Sequence, residues 1–576
     1  MKMSYIEREW LGWLSLALIV SVFGFFYFGM IFSLPLFGDA ASHGSITKEV
    51  IARGVLATNA TYPPVYSVFQ GVLVSLFGEE GMNAIVFLGV LLIGLSVFLL
   101  TKELTNRISV ALVSAIIVLA SPKLIFYSAR MYMEILISGL FVFTIFLLLR
   151  FVKDKSNKNL FLLVLFTSVT ASIKQQGLFI LFPSILASLC CFFIIERRWN
   201  KDKIQNMVSR RHIVAYLLIF LLLIFPAYLV VVHTSGEIVQ GSNEFDVLRK
   251  INYAGQRISG YKESPEDIKF NEKWGQRLEW IQEKYWSVGT RLAETRHIWP
   301  LDPITSWDGF TKTNGLYLER FWGGSTSERL ANSMNILMLF GLILFVLNIF
   351  LRDKILGFGH TSLQRYFLIF LLIFLIINYA FFFRNTDQTR YHLFIAIIFS
   401  LFSAIGIYFL VDVFVLMGGF PEHIKILTTS LIVMVLIMSL ITLAYEDSNF
   451  NKRWYKSQIY RPSKGGIASI KEAGEWLDNH TEENARIWQS CGNELAYYSE
   501  REVTGNFWFY FLEESELREI FRDQNVEYIV ILDSQIVDDE KWRNLCWVPK
   551  SFAEKIKKIY PLAYRTSFGD INIYKV

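Results

Sequence analysis

Gly38-Asp39-Ala40-Ala41-Ser42-His43, with residues 44–64 after it, is the stretch on which the fold turns. It begins where a long apolar run, residues 10–35, ends, so Asp39 is expected just outside a membrane. Asp39 and His43 are four apart and share a face if the stretch is helical. Ile46, Val50, Ile51 and Gly54 recur at helical spacing, which predicts a short amphipathic helix lying on the bilayer surface. Tyr62-Pro63-Pro64 ends it, because proline removes a backbone donor and disfavours helix before it. A carboxylate at a water–lipid boundary can act as a base on a substrate held half in lipid. The plainer reading makes Asp39 a solvated acid that caps the helix. The residues around it do not decide between the two, and the rest of the chain must.

The composition sets the class. Of 576 residues 53% are hydrophobic, 16% are aromatic and Phe alone appears 50 times, which no ordinary soluble domain shows. The chain reads as an α-helical polytopic membrane protein of about eleven transmembrane helices, followed by a small α/β domain. Its net charge of +5 is small, and its basic residues cluster between spans, so they report topology rather than nucleic acid. Four Cys make neither a disulfide framework nor a metal motif. Cys190 and Cys191 lie in an apolar run and read as packing residues.

Lys2 and Arg8 before the first span place the N-terminus in the cytoplasm and the Asp39 loop outside. The first run is too long for a cleaved signal peptide and reads as a retained span. Residues 65–77 are apolar but short, which suits an interfacial or re-entrant helix. Further spans are expected at 82–100, 108–120, up to 150, up to about 174, up to 195, and at 213–232. The last four follow at 331–351, 366–383, 391–411 and 424–444. The cluster Arg197, Arg198, Lys201, Lys203, Arg210 and Arg211 must then be cytoplasmic. Residues 233–330 are polar, rich in Trp and external, as a lid or subdomain would be. Residues 1–444 thus form the membrane domain, including the external loops 38–81 and 233–330, and 445–576 an extracytoplasmic domain. In that domain helices are expected at 473–477, 515–522 and 552–559, and strands at 486–489, 528–532 and 571–574. A Cys491–Cys546 disulfide would need a proximity that sequence does not reveal.

The external turns bring Asp39, His43, Lys123, Arg130, Glu134, Lys174, Arg384, Asp387 and Arg390 to one side. Each alone has a bland reading. Lys123 and Arg384 can snorkel to the interface, and Glu134 can pair with Arg130 at helical spacing. Together they form a ring of acids and cations at one membrane boundary, where ionisable groups are functional candidates.

These residues fall in a recognisable order. Asp39 follows the first span, then come Tyr62-Pro63-Pro64-Val65-Tyr66 and Ser121-Pro122 with Tyr127-Ser128-Ala129-Arg130, and Arg390-Tyr391 opens a late span. In this the chain resembles the C-superfamily membrane glycosyltransferases, in particular the dolichyl-phosphate-mannose protein mannosyltransferases and their aminoarabinose-transferase relatives. The resemblance is good over roughly the first 200 residues, looser through the later spans and weak in the soluble domain. It departs in one place: the family often has a second acid after the loop Asp, and here Ala40 stands there. A divalent metal therefore lacks a paired carboxylate at that point, and no cofactor is otherwise indicated. The Trp-Trp-Asp-Tyr-Gly signature of oligosaccharyltransferases is absent, which argues against transfer of a whole glycan to Asn.

The resemblance implies a polyprenyl-phosphate-linked sugar as donor and inversion at the anomeric carbon. Asp39 would then be the general base, and Arg390, Arg130 and Lys174 would meet the charge on the leaving lipid phosphate. His43, Glu134, Tyr62, Tyr391 and Lys123 are the other candidates near the site. The expected partners are the lipid donor, an acceptor protein or glycan and membrane lipid, in the plasma membrane. The competing class is a transporter or flippase of lipid-linked sugars, which should show a charge or a broken helix at mid-span and repeated halves. A third reading is a non-catalytic scaffold that binds a partner through its external domain.

Overall fold

The computed structural model describes residues 5–34, 36, 39–54, 65–199, 209–235, 269–270, 272–278, 280–281, 328–351, 353–359, 361–382, 393–417, 466–490, 492–505, 507–539 and 547–576, with single residues between 438 and 449. The packing divides the chain into two units. The first comprises Met1–Ser33, Ala60–Gly255 and Trp299–Asn451. The second comprises Leu34–Asn59, Gln256–Ile298 and Lys452–Val576. The loop 38–81, grouped with the spans on sequence, is thus divided: residues up to Asn59 cluster with the C-terminal domain.

The first unit is a helical bundle. Its elements are α1 (Tyr5–Ile31), α3 (Val65–Phe77), α4 (Gly81–Thr105), α5 (Ile108–Leu119), α6 (Pro122–Ala129), α7 (Glu134–Asp154), α8 (Asn157–Ile173), α9 (Phe182–Trp199) and α10 (Arg210–Ser235). After these come α11 (Glu328–Phe350), α12 (Thr361–Phe382) and α13 (Leu393–Met417); α2 (Asp39–Arg53) belongs to the other unit. Among the described residues seven helical stretches are long and apolar enough to cross a membrane, or eight if the bent pair α5–α6 counts as one. The chain is a multi-pass membrane protein, though eleven spans are not what the described helices add up to. Residues 157–173 and 336–350 are apolar but short of a full span, and most of 424–444 lies outside the described residues.

Helix α7 is the centre of the bundle, packing on α4, α8, α12 and α13. It crosses α4 closely because both carry glycine there: a Cβ on Gly89 would lie 2.8 Å from the Leu136 nitrogen. Phe141 of α7 stacks on Phe394 of α13 at 4.4 Å, with Phe374 of α12 at 5.5 Å from Phe394. At its far end Glu103 of α4 takes Lys153 at 2.6 Å and Arg150 at 3.2 Å from α7. Buried hydroxyls such as Ser114, Thr144, Thr167 and Ser184 donate to the carbonyl one turn back, which satisfies them in an apolar interior. Helix α3 turns back on α4 at Gly78, where φ is +67°, and meets it at Gly81. A Cβ on Gly81 would lie 2.3 Å from the Leu73 carbonyl, so only glycine allows the hairpin. The polar face of α3, Tyr66, Ser67 and Gln70, is buried, while Val68, Phe69, Val72 and Leu76 face outward, as suits lipid.

The second unit is built on a mixed five-stranded sheet. Its strands are β1 (Arg486–Trp488), β2 (Glu502–Thr504), β3 (Val526–Leu532), β6 (Leu562–Arg565) and β7 (Ile571–Lys575), in the order β2-β1-β3-β7-β6. A separate pair is β4 (Ile536–Val537) and β5 (Val548–Pro549). β1 runs parallel to β2 and β3, and β7 antiparallel to β3 and β6. Alternation along β3 sends Tyr528, Val530 and Leu532 to one face and Ile529 and Ile531 to the other. The first face is covered by α14 (Ile467–His480) and α15 (Asn493–Ser499), the second by α16 (Glu514–Asp523) and α17 (Lys550–Ile559). The expected helices and strands of this domain are all present, and α15, β2, β4, β5 and β6 are additional. Helical residues 272–278 and 280–281 also join its core, through Trp274 and Ile281, which are 5% and 0% exposed.

Candidate active site

Asp39 is the first residue of α2, at the helix end where an acidic residue is favoured. Its side chain lies outside the described residues. The helix is present as expected, but its buried face differs. Ala40, Ala41, His43, Gly44 and Thr47 are buried, whereas Ile51 is 48% exposed and Ile46 and Val50 are half-buried. Small residues let the backbone of α2 come close to α15, and this packing outweighs the branched side chains in choosing the face. Burial, together with the nearby Glu502 carboxylate, raises the pKa of Glu49 in this helix, and Arg53 acts against the rise.

The first unit brings together another part of the predicted ring. α7 and α8 are antiparallel neighbours, so the start of one and the end of the other share one end of the bundle. There Lys174 Nζ donates to Glu134 Oε1 at 2.7 Å, with side chains only 10% and 5% exposed. Lys174 is fixed by its backbone, extended at φ −151° after α8, while its N–H still bonds Thr170. Tyr66, 3% exposed, lies within electrostatic reach of Glu134. Ser138 stands one turn after Glu134 on α7, and its buried hydroxyl has no hydrogen bond among the described residues; the same is true of Ser121, the N-cap of α6, and of Ser128 within it.

Arg130 does not share a helix with Glu134, as the spacing suggested. Met131 takes φ +54°, which ends α6 at Ala129 and lets α7 begin at Glu134. Arg130 instead lies 3.4 Å from the Phe126 ring centroid and donates to the Phe126 carbonyl at 3.2 Å. Lys123 stands 5.4 Å from the same ring. Arg390, Tyr391, Tyr62, Arg384 and Asp387 lie outside the described residues, as do Cys491 and Cys546. Sequence reasoning overlooked Ser138 and the burial of Tyr66. The i+4 spacing from Glu134 could have flagged the first, and nothing local flags the second.

Residues 61–230, just under a third of the chain, match the dolichyl-phosphate-mannose-protein mannosyltransferase family. That stretch holds Lys123, Arg130, Glu134 and Lys174 but neither Asp39 nor Arg390. No curated protein matches the chain. Among solved structures, the oligosaccharyltransferase of Archaeoglobus fulgidus in its apo form superposes with a TM-score of 0.53 at 14% identity, covering 97% of this chain and 73% of that one. Its complex with Zn and sulfate gives 0.53 at 15%, with the same coverage. ArnT from Cupriavidus metallidurans bound to undecaprenyl phosphate gives 0.45 at 13%, covering 98% of each chain. The resemblance read from the sequence holds: residues 61–230 match the mannosyltransferase family, and the fold is similar to that of the Archaeoglobus fulgidus oligosaccharyltransferase.

Proposed function

We propose that the chain transfers a sugar from a polyprenyl (dolichyl-type) phosphate donor to an acceptor hydroxyl on the extracytoplasmic side, with inversion. The observation that carries this is the family match over residues 61–230, because the buried Glu134–Lys174 pair falls within it. In this reading Asp39 takes the proton of the acceptor hydroxyl as its oxygen attacks the anomeric carbon. The bond from that carbon to the phosphate oxygen breaks, and the lipid phosphate leaves with the added charge. Lys174, Arg130 and Arg390 are the cations proposed to meet that charge. Glu134 holds the Lys174 ammonium at 2.7 Å and so orients it. The acceptor is a protein or glycan hydroxyl.

The flippase alternative predicts ionisable groups at mid-span. Among the described residues the ion pairs of the bundle, Glu134–Lys174, Glu9–Lys102 and Glu103 with Arg150 and Lys153, sit near helix ends. The test uses the purified protein in detergent with polyprenyl phosphates carrying different labelled sugars and a panel of hydroxyl acceptors. Covalent transfer is the expected result. Movement of the labelled lipid across vesicles without covalent transfer would replace this reading with the flippase.

A further inference from the structure

Helix α2 packs on a short helix of the C-terminal domain, α15. Lys48, in the third turn of α2, reaches Glu500 at 2.7 Å, just past the end of α15. Its ammonium also stands 4.4 Å from the Tyr497 ring centroid. The Tyr498 hydroxyl donates to the Leu36 carbonyl at 3.4 Å, in the segment leading into Asp39. Both ends of the stretch that carries Asp39 are therefore tied to the same seven-residue helix. α15 is in turn seated tightly on α14: a Cβ on Gly474 would lie 2.6 Å from Tyr498 Cβ and 2.9 Å from the Tyr498 carbonyl carbon. The seat rests on the buried face of the sheet through Leu495, Ala473 and Leu477. Nothing in the helix propensity of residues 39–53 requires this docking, and the small residues Ala40, Ala41 and Gly44 gain little by burial alone. The polar ties supply direction where apolar area is small.

We propose that α15 is the positioning element for the catalytic base, with Lys48, Tyr497, Tyr498 and Glu500 setting where the start of α2 stands during sugar transfer. The proposal rests on the glycosyltransferase reading above, with Asp39 as base. Lys48 lies nine residues beyond Asp39, about 13 Å along the helix axis, so it acts through the helix rather than on the substrate. A misplacement of a reacting group by about 1 Å can cost up to a hundredfold in rate. Such a role predicts a loss in turnover with the donor KM unchanged.

The test uses the full chain and four variants: Lys48→Glu, Glu500→Lys, the double swap of the two, and Tyr498→Phe. Amide exchange in residues 39–53 reads docking, and exchange in β3 reads the integrity of the domain. Turnover and KM with labelled dolichyl-phosphate-mannose, or the polyprenyl sugar that proves active, read catalysis. Each single reversal should speed exchange in α2, leave β3 protected and lower kcat about tenfold. The double swap should restore both, and Tyr498→Phe should give a smaller loss of the same kind, which keeps the test in force if a reversal unfolds β3. Faster exchange in α2 with unchanged kcat, or unchanged exchange in every variant, overturns the proposal while wild-type transfer leaves the glycosyltransferase reading intact. A wild-type protein that transfers no sugar overturns both.

Discussion

At the scale of single residues the proposed chemistry rests on two acids in different settings. Asp39 stands at the first residue of a helix, the position where an acid is most at home for structural reasons alone. Asp39→Asn separates the roles, because Asn caps as well as Asp but cannot take a proton. Transfer should fall by roughly a hundredfold or more, with donor binding little changed. Transfer at the wild-type rate would leave Asp39 a cap. Glu134 is the opposite case, buried and paired with Lys174 at 2.7 Å. Lys174→Ala removes the 2.7 Å partner of a buried carboxylate and should destabilise the protein by about 3–5 kcal/mol. Replacing both together, Glu134→Gln with Lys174→Met, removes the buried charges and should recover most of that stability in thermal unfolding. If the pair serves the phosphate, the double variant folds but transfers poorly. A double variant that transfers normally would reduce the pair to scaffolding.

At the scale of elements, helical residues 272–278 show how a long loop is fastened. Arg277 bonds Glu516 through Nε at 2.8 Å and Nη2 at 3.2 Å, and Lys273 and Trp274 both bond Asp523. The Arg277 hydrogen bonds hold Glu516 below the usual glutamate value of 4.5. Burial would raise Asp523, but the bonds from Lys273 and Trp274 outweigh it and hold it below its usual 3.8. Folded values below unfolded ones mean that the contribution is complete above about pH 4.5 and is lost as pH falls through the folded values. Amide exchange in this segment, corrected for its intrinsic rate, should therefore rise selectively on acidification below pH 4.5 while β3 stays protected. Arg277→Ala should give the acid-like rate already at neutral pH, and a pH-independent rate in the parent chain would refute the assignment. None of this docking was legible in the sequence, since Arg277 and Glu516 are 239 residues apart. The strands of the same domain were legible, because β3 is apolar on both faces and bounded by polar turns. The Arg130–Glu134 pairing misled for a different reason. Helical spacing assumes an unbroken helix, and the left-handed Met131 that breaks it has no glycine to announce it.

At the scale of the whole molecule, hydropathy made the bundle legible but not the count of its spans. A helix such as α3 is apolar enough for lipid yet turns back at Gly78, and α8 is apolar but only 17 residues long. Length alone does not distinguish a span from a helix that ends inside the bundle. The partition of the chain was also hidden, because α2 joins a domain more than 400 residues away through the 452-residue separation of Lys48 and Glu500. Orientation is the remaining large-scale question, and charge bias supplies a definite expectation. Arg210 and Arg211 open α10 within the strongest basic cluster, which predicts that this end faces the cytoplasm and the C-terminal domain the outside. Two exposed positions test it, Arg211 and the 59% exposed Lys471 on α14. In a background with the four native Cys replaced by Ser, Lys471→Cys should react with a membrane-impermeant thiol reagent in intact cells, and Arg211→Cys only after lysis. Both side chains are exposed, so the membrane decides which of them the reagent reaches. The reverse pattern would invert the map and move the acceptor to the cytoplasmic side, while leaving the fold and the Glu134–Lys174 pair as they are.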